Sequence, residues 1–472
     1  MDSAEFRRIG HQIIDWIADY MDDVESRPVR PRVTPGEIMD RLPDAAPEAP
    51  EPMDEILKDF QDIIMPGITH WQHPMFMAYF PGISSPPAVL GEILAAGIGV
   101  NGMMWETSPA VTELENRVLD WLRKALGLPE GFHGVIQDTA STSTLCAAIA
   151  ARDHALARNP QADVTKLAAY GSVEAHSSVE KAARLAGLRP ENFRPIPVDE
   201  NYAMRVDALR AAIAADKAQG LVPAFCVGTL GTTAVGGFDD LAAIGPVLAD
   251  DDIWLHVDAA WAGSALILPE QRAFAAGIEH ARSLVVNPHK WLMTTLDCSA
   301  LYVRDVAAFT RAFTILPEYL KTPERGRVID YRDWGIALGR RFRALKLWFV
   351  LRGYGLENLR AMIRSHIAMA KDLADRLANE PDFEILTGPR LALFTFRHRP
   401  GGLTEGALNS HNDALIARLN QSGEIYLTRI TVAGKTAIRV SIGQTRLAPR
   451  HVDRAFDLIT STARELQGQD EQ

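Results

Sequence analysis

The first part of the chain carries a helical pattern of hydrophobic positions. Apolar residues recur every three or four positions between Glu5 and Met21, which predicts an amphipathic helix that Asp2 is expected to cap. A second helical pattern covers 53–64. Between them, the stretch 31–52 is dense in proline and acidic residues, so it cannot be regular throughout. It is either a flexible linker or an extended arm that lies on a partner surface.

The pattern changes near residue 86, where short apolar runs begin to alternate with helical segments. Nearly continuous apolar runs are typical of strands buried on both faces, so the alternation predicts an α/β domain around a largely parallel sheet. After about residue 341, long helical segments lead into a terminal α+β region. We therefore predict an N-terminal helical segment over 1–85, a large α/β domain over 86–360 and a small C-terminal α+β domain over 361–472.

Composition and charge narrow the class of protein. The 472 residues carry a net charge of −11, which argues against a protein that follows nucleic-acid phosphates and suits a soluble enzyme. No apolar run approaches the ~18 residues of a membrane span. The charged start has no signal-peptide pattern, so the cytoplasm is the expected location. Three widely spaced cysteines in apolar context predict buried, reduced thiols and no metal site.

One glycine-rich stretch matches a nucleotide-binding motif without having its context. Residues 97–102 read GIGVNG, which fits the pattern GxGxxG. A dinucleotide-binding turn follows a strand and opens a helix, whereas a helical run precedes this stretch. We therefore predict a loop whose glycines allow a turn or close packing.

A run of small, mostly hydroxylated residues at 139–144 lies between a short apolar run and a helical segment. Helix N-termini offer free N–H groups and the positive end of the helix dipole to anions. The run is either a phosphate-binding cup without a lysine or a simple Ser/Thr helix cap. The residues alone leave both interpretations open.

Three further polar residues stand where apolar runs end. Asp258 ends the buried run DIWLHVD, and a buried carboxylate is rarely without a partner. His176 lies between a predicted strand and a helix, for which Ser177 and Glu180 are expected to form a capping box. Lys290 follows an apolar run that stops at Asn-Pro. Each has a plain alternative: a helix cap, a structural histidine and a solubilising lysine beside a strand.

Their convergence favours a cofactor site. In open α/β sheets, ligands collect at the carboxyl ends of the strands. Pyridoxal 5'-phosphate (PLP) requires a phosphate site, an acid that keeps its pyridine nitrogen protonated, a flat side chain over its ring and a lysine that bonds to its aldehyde. The sequence therefore predicts a PLP site in which Lys290 is the covalent anchor and His289 is its neighbour.

Longer motifs match a known family. The stretches HVDAAWAGSA, NPHKWLMTTLDCSALYV, MPGITHWQHPMFMAYFP and LGRRFRALKLWFVLRGYG resemble the PLP-dependent aromatic-L-amino-acid decarboxylases of the DOPA and tryptophan type, in the group II decarboxylase family. The resemblance covers nearly the whole chain. It implies the PLP-dependent transferase fold of type I and an obligate homodimer with its site at the subunit interface. It also implies that the N-terminal segment packs across the partner.

The resemblance assigns roles to individual residues. The catalytic residues would be Lys290, His176, Asp258 and Tyr319. The cofactor-binding residues would be Ala140, Ser141, His176, Thr233, Asp258, Ala260, Asn287, His289 and Lys290. The substrate-binding residues would be Trp71, Tyr79, Phe80, Pro81, Gly82, Asn101, Met103, His176 and Gly339. His176 would stack on the cofactor ring, and Tyr319, on a loop, would return a proton to the substrate carbon.

The implied reaction is decarboxylation of an aromatic L-amino acid to its arylalkylamine and carbon dioxide. The candidate substrates are DOPA, 5-hydroxytryptophan, tryptophan, tyrosine and phenylalanine. The alternative on the same scaffold is oxygen-dependent aldehyde synthesis. Relatives that make aldehydes change either the stacking histidine or the loop tyrosine, and this chain keeps both His176 and Tyr319. A scaffold protein without turnover is disfavoured by the same intact set.

Overall fold

The structure is a computed structural model that describes residues 1–315, 324 and 326–470 of the chain. The chain forms two compact units. The large unit is Gly82–Ile367, and the second unit combines Met1–Pro81 with Ala368–Gln472. The N-terminal and C-terminal parts of the chain therefore share one unit, while the predicted packing of 1–85 across a partner remains a prediction.

The helices, in chain order, are α1 Ser3–Asp23, α2 Met53–Asp59, α3 Pro86–Ile98, α4 Pro109–Leu126, α5 Ala140–Arg158, α6 Ser178–Leu185, α7 Val206–Ala218, α8 Leu241–Ala249, α9 Pro288–Trp291, α10 Val306–Arg311, α11 Arg343–Ala378, α12 Glu405–Ser422 and α13 Pro449–Asp470. The predicted cap of α1 is confirmed, because the Asp2 carboxylate accepts the N–H groups of Ala4 and Glu5 at 2.9 and 2.8 Å. No helix among the described residues is long and apolar enough to cross a membrane.

The large unit is built around one sheet. Its strands are β1 His133–Gln137, β2 Leu167–Ser172, β3 Phe193–Ile196, β4 Val222–Thr229, β5 Trp254–Asp258, β6 Ser283–Val286 and β7 Ser299–Val303. They lie in the order β1-β7-β6-β5-β4-β2-β3, and β2 to β6 are parallel. Because β7 is antiparallel to both β1 and β6, β1 points the same way as the parallel strands. This mostly parallel sheet with its helices confirms the predicted α/β fold.

Helix α5 lies against this sheet through small side chains. It contacts β4, β5, β6 and β7, and its buried residues in the core include Cys146, Ala147, Ala150 and Ala151. Short side chains let the helix backbone approach the sheet closely. Because α5 follows β1 directly, its N-terminus lies at the carboxyl edge of the parallel strands.

The second unit contains a four-stranded antiparallel sheet. Its strands are β8 Phe383–Arg390, β9 Leu393–His398, β10 Thr428–Val432 and β11 Lys435–Ser441, in the order β10-β11-β9-β8. The sequence predicts β8, β9 and β11, but not β10. Strand β10 alternates between partly buried and exposed positions, so it gives no apolar run.

Glycines explain two local features. The GIGVNG stretch ends a helix and does not open one: Gly97 and Ile98 are the last residues of α3, and the predicted loop begins at Gly99, whose φ of 65° glycine adopts without strain. The two helical segments predicted after residue 341 are two helices within α11 that meet at Gly355, where φ is 70° and ψ is 160° and the backbone is not helical. Glycine adopts this positive φ without strain.

Candidate active site

The carboxyl edge of the large unit's sheet gathers the predicted cofactor residues. Asp258 is the last residue of β5, and Asn287 follows β6 directly. His176 stands shortly after β2, and Ala140 begins α5 just after β1. Lys290 lies in the short helix α9 that follows β6. The topology thus brings residues from four different strand ends to one edge of the sheet.

Asp258 is buried and its orientation is fixed by its neighbours. The residue is 7% exposed, and its carboxylate accepts the N–H of Ala260 at 3.1 Å. Its backbone is held on both sides by the sheet, in register with Thr229 of β4 and Val285 of β6. A buried carboxylate held in this way is suited to bind a cationic group.

His176 is close enough to Asp258 and Lys290 to interact with both. Burial lowers the pKa of His176, the Asp258 carboxylate raises it, and the Lys290 ammonium lowers it. Ser178 fixes the ring, because its N–H donates to Nδ1 at 3.2 Å and its hydroxyl lies 2.8 Å from the same atom. In a neutral ring with Nδ1 as acceptor, the proton lies on Nε2.

The predicted capping box of α6 is wrong. Within the described chain, the Ser177 side chain makes no cap hydrogen bond. The reason is conformational: Ser177 has helical angles, φ −55° and ψ −21°, whereas a capping serine needs an extended backbone. The His176 ring accepts the N–H of Ser178 instead, so one end of α6 depends on the histidine itself.

Lys290 stands beside a neutral histidine. His289 is buried, and its Nδ1 accepts the N–H of Cys298 at 2.8 Å. Burial and the Lys290 charge lower the pKa of His289 to about 4, so its ring adds no positive charge next to the lysine. The turn that carries Lys290 is held by two backbone bonds of 2.9 Å, from the N–H of Lys290 to Asn287 and from that of Asn287 to Ala260.

The N-terminus of α5 combines a cap with unused donors. The Thr139 hydroxyl caps the helix by accepting the N–H of Thr142 at 3.3 Å. The next residues, Ala140 and Ser141, occupy the first turn, where N–H groups have no acceptor within the helix. Both interpretations of the 139–144 run therefore have support, because one residue caps and the following N–H groups can bind an anion.

Buried polar atoms without hydrogen-bond partners indicate whether the residues at this sheet edge are suited to bind PLP. The amide oxygen of Asn287 is buried without a hydrogen-bond partner in the described part of the chain, and so are the hydroxyls of Ser172 at the end of β2 and Thr229 at the end of β4. Buried polar groups normally have partners, so unpaired ones at strand ends indicate a polar ligand. With the helix N-terminus, the acid, the histidine and the lysine, the residues fit PLP.

Several predicted substrate residues of the large unit lie on connected loops. The side chain of Asn101 accepts the N–H of Arg340 at 2.9 Å, and a Cβ on Gly339 would lie 3.7 Å from the Asn101 amide nitrogen. The carbonyl of Met103 accepts the N–H of Arg332. Gly339 lines a cavity of about 280 Å³ whose other walls include Asp138, Thr142, Tyr331 and Arg343. Asn101 and Gly339 are thus brought together, while Gly82 and the exposed Thr233 lie on other loops.

The predicted aromatic substrate residues form a cluster in the second unit. The rings of Trp71 and Tyr79 are stacked, with centroids 5.8 Å apart, and both are partly exposed. Phe80 and Pro81 follow directly and are buried. The Tyr79 hydroxyl lies 3.3 Å from that of Tyr426. An apolar, flat surface with a polar rim is suited to bind an aromatic ring.

Residues that the sequence analysis missed hold this cluster. Tyr79 has a φ of 49°, which is unusual for a residue with a side chain. Thr428 accepts its N–H at 2.8 Å, and Arg439 donates to its carbonyl at 2.5 Å while lying 4.5 Å over the Phe80 ring. Arg439 could have been identified from the sequence, because it is a charged residue within the apolar run of β11. Tyr426 could not, because it lies 347 positions from Tyr79.

Tyr319, the predicted proton donor, lies outside the described residues, so its role stays a prediction.

The fold and the site define a PLP-dependent carboxy-lyase. Residues 35–399 match the family model of the pyridoxal-dependent decarboxylase conserved domain. The chain is 44% identical to an aromatic-L-amino-acid decarboxylase of Mus musculus, covering 98% of each protein. It is also 44% identical to a phenylacetaldehyde synthase of Arabidopsis thaliana, covering 98% of this chain and 96% of that protein. This chain belongs to the pyridoxal-dependent decarboxylase family, as its motifs predict.

Solved structures agree with this assignment. The chain matches a structure of Oryza sativa TDC with PLP and tryptamine at a TM-score of 0.97 and 39% identity, covering 99% of both chains. It matches Catharanthus roseus tryptophan decarboxylase in complex with L-tryptophan at a TM-score of 0.94 and 40% identity, again covering 99% of both. The match to the pyridoxal-dependent decarboxylase model and to the Oryza sativa structure with PLP confirms the predicted cofactor.

Proposed function

We propose that this enzyme removes the carboxylate of an aromatic L-amino acid as carbon dioxide and releases the corresponding arylalkylamine. The observation that carries the proposal is the grouping of His176, Asp258 and Lys290 at one sheet edge, where the carboxylate and the ammonium both act on the pKa of the histidine. DOPA, 5-hydroxytryptophan, tryptophan, tyrosine and phenylalanine are the substrates to compare.

Each side chain at the sheet edge has a separate role in the proposed reaction. Bound PLP supplies an electron sink for the electron pair that the departing carboxylate leaves behind. Lys290 would hold the cofactor covalently. Asp258, a buried carboxylate, would pair with the pyridine nitrogen and favour its protonated form. His176 would lie over one face of the cofactor ring and present its Nε2–H, because Ser178 occupies Nδ1. Tyr319 is the proposed acid that returns a proton to the substrate carbon.

Other residues bind and orient. Ala140, Ser141 and Asn287 would hold the phosphate, and the N–H groups in the first turn of α5, which have no acceptor within the helix, support this role for Ala140 and Ser141. The remaining proposed cofactor contacts are Thr233, Ala260 and His289. The proposed contacts to the substrate are Trp71, Tyr79, Phe80, Pro81, Gly82, Asn101, Met103, His176 and Gly339.

The proposal includes a homodimer. Helix α3 exposes four large apolar side chains, Leu90, Ile93, Leu94 and Ile98. Contiguous exposed apolar residues of this kind mark protein interfaces. A cytoplasmic location is also part of the proposal, and it is supported by three free, buried cysteines, which suit a reducing compartment.

Oxygen-dependent aldehyde synthesis is the second candidate. It is favoured by one observation: the identity to the Arabidopsis thaliana phenylacetaldehyde synthase equals the identity to the mouse decarboxylase, at 44%. A structure of Rhodiola rosea 4-hydroxyphenylacetaldehyde synthase also matches with a TM-score of 0.94 and 39% identity. The overall similarity therefore does not separate the two reactions.

Product analysis separates them. The PLP-loaded protein is incubated in air with each of the five amino acids, and amine, aldehyde and hydrogen peroxide are assayed together. Amine without peroxide is the expected result, and Lys290→Ala should abolish it. Aldehyde with peroxide in the unaltered protein would refute the proposed decarboxylation and establish the second candidate.

A further inference from the structure

A buried chain of polar side chains lies behind the strand-edge residues. It contains Trp254 and His256 of β5, Ser283 of β6 and Thr144 of α5, all of which are fully buried. The Trp254 indole N–H donates to the Ser283 hydroxyl at 2.8 Å. The same hydroxyl lies 2.8 Å from Nδ1 of His256, and Nε2 of His256 lies 3.4 Å from the Thr144 hydroxyl. Four polar groups in the core are thus linked in one line.

The donors and acceptors give this chain a direction. Trp254 can only donate, so the Ser283 oxygen accepts its hydrogen. The Ser283 hydroxyl hydrogen then finds an acceptor in Nδ1 of His256, and the remaining ring hydrogen lies on Nε2, facing Thr144. Burial lowers the pKa of His256 to about 4, which agrees with a neutral ring. The Phe225 ring stacks on the imidazole, with centroids 6.2 Å apart.

The elements joined by this chain are those that carry the proposed cofactor contacts. His256 stands two residues before Asp258 on β5, so both side chains project from the same face of the strand. Ser283 is the register partner of His256 and begins β6, the strand that leads to Asn287 and Lys290. Thr144 lies on α5, one turn beyond the proposed phosphate site.

We propose that His256 is a positioning residue, the centre of a Thr144–His256–Ser283 relay that sets the spacing between the phosphate helix, the Asp258 strand and the Lys290 strand. The relay keeps the cofactor site formed before PLP binds. The inference rests on the proposed function, because it takes the cofactor contacts from it. His256 itself does not touch the cofactor in this proposal and acts only through the elements it joins.

A second buried hydroxyl pair provides the control. Ser143 of α5 and Ser299 of β7 lie 3.0 Å apart, and both are fully buried. This pair also joins α5 to the sheet, but its strand carries no proposed cofactor contact. Ser299→Ala therefore removes a comparable buried hydrogen bond without entering the relay.

The test measures how tightly the apo-protein binds PLP. His256→Leu, which removes both ring contacts, should weaken PLP binding by roughly tenfold or more, the size typical of losing groups that support a ligand's direct contacts. Ser283→Ala should weaken it by a smaller factor. His256→Asn and His256→Gln, whose amides can each replace one ring nitrogen, should recover part of the loss. Ser299→Ala should stay within about twofold of the unaltered protein.

Thermal unfolding of each apo-variant separates positioning from loss of stability. If His256→Leu and Ser299→Ala lower the unfolding midpoint alike but only the former weakens PLP binding, the relay is supported. Equal weakening by both variants, or unchanged PLP binding in His256→Leu, would overturn it. If the His256→Leu apo-protein does not fold, Ser283→Ala and the two amide variants decide by the same comparison.

The tautomer gives an independent readout. Protein labelled with ¹⁵N in its histidines should show a protonated Nε2 and an unprotonated Nδ1 for His256, assigned with His256→Gln. Ser283→Ala should remove this preference. A proton on Nδ1 would overturn the relay. The proposed function has a separate test. Lys290→Ala should abolish amine release and leave the His256 signal unchanged, so the relay and the proposed function can be refuted independently.

Discussion

Asp258 in the large unit is 7% exposed, whereas Tyr79 in the second unit is 48% exposed. Asp258 ends a strand whose neighbours hold it in register on both sides, and its carboxylate is bound by the N–H two residues later. Tyr79 lies outside regular structure with a positive φ, and its partners Tyr426 and Thr428 come from the far end of the chain. Regular sheet structure therefore holds Asp258 in place, whereas contacts from distant parts of the chain hold Tyr79.

This difference indicates how each region should respond to change. The strand-edge residues carry charge in a buried setting, where losing one group is costly because water cannot replace it. The aromatic cluster offers apolar area and hydroxyls near solvent, where single contacts contribute little. We therefore expect large effects at the sheet edge and small, substrate-dependent effects in the aromatic cluster.

The largest effect is expected for Asp258→Asn. The amide cannot keep the ring nitrogen protonated, so kcat/KM for amine formation should fall roughly 10²–10³-fold. Steady-state assays of carbon dioxide release would measure this. Asp240→Asn, which alters a carboxylate that caps α8, is the matched control and should have little effect. A small loss in Asp258→Asn would contradict the contrast between the regions.

His176→Asn should change both the rate and the product. Removing the imidazole takes away the Nε2–H, so amine formation should slow by about 10²-fold. A larger fraction of turnovers should yield aldehyde and peroxide. Simultaneous assay of the three products would measure it, with His154→Asn as a control at a histidine that pairs with Asp252 instead. An unchanged product ratio would mean that the histidine does not select the reaction.

Buried histidines should make both units sensitive to acid. Burial lowers the pKa of His73 in the second unit, and of His256 and His289 in the large unit, to about 4. The unfolded chain binds protons near pH 6.5, so each histidine costs up to about 1.4 kcal/mol of stability per pH unit as the pH falls from 6.5 to 4. Burial raises the pKa of Asp239 to about 6, so the folded chain binds this proton at a higher pH than the unfolded chain does. This gain in stability offsets the loss caused by one of the three histidines.

Thermal unfolding between pH 7 and 5 would measure this loss. The midpoint should fall steadily as the pH decreases, and His73→Gln should make the fall shallower than in the unaltered protein. An equally steep fall in His73→Gln would show that the second unit does not share the acid sensitivity of the large unit.

The smallest effect is expected for Tyr426→Phe. Losing the hydroxyl beside Tyr79 removes one partly exposed hydrogen bond, so KM should rise by about two- to fivefold while kcat stays nearly constant. Tyr79→Phe and the double variant complete a cycle, and the two changes should not be additive, because the hydroxyls are partners. A loss of kcat/KM as large as that expected for Asp258→Asn would contradict the proposed difference between the sheet edge and the aromatic cluster.

The contrast also explains what could be predicted from the sequence. Asp258, His176 and Lys290 stand at the ends of apolar runs, so chain order and topology alone bring them to one edge. Tyr426 and Arg439 support Tyr79 through contacts that no local pattern encodes. Strand ends can be predicted from a single sequence because a parallel sheet aligns them, whereas a cluster built from distant loops cannot.

The errors have local causes. The capping box at Ser177 fits the sequence pattern, but the backbone there is already helical, and the His176 ring takes the N–H. Strand β3 was not predicted because it is short and mixes apolar with charged and proline residues.

Strand β7 has a consequence for how this fold can vary. Val303 pairs with His133 of β1 on one side and with Ser283 of β6 on the other. β1, which precedes α5, and β6, which precedes Lys290, are therefore both aligned against β7, although they are far apart in the chain. A one-residue insertion within β7 would displace both together, so we expect length variation among relatives to spare this strand and to collect in the loops around it.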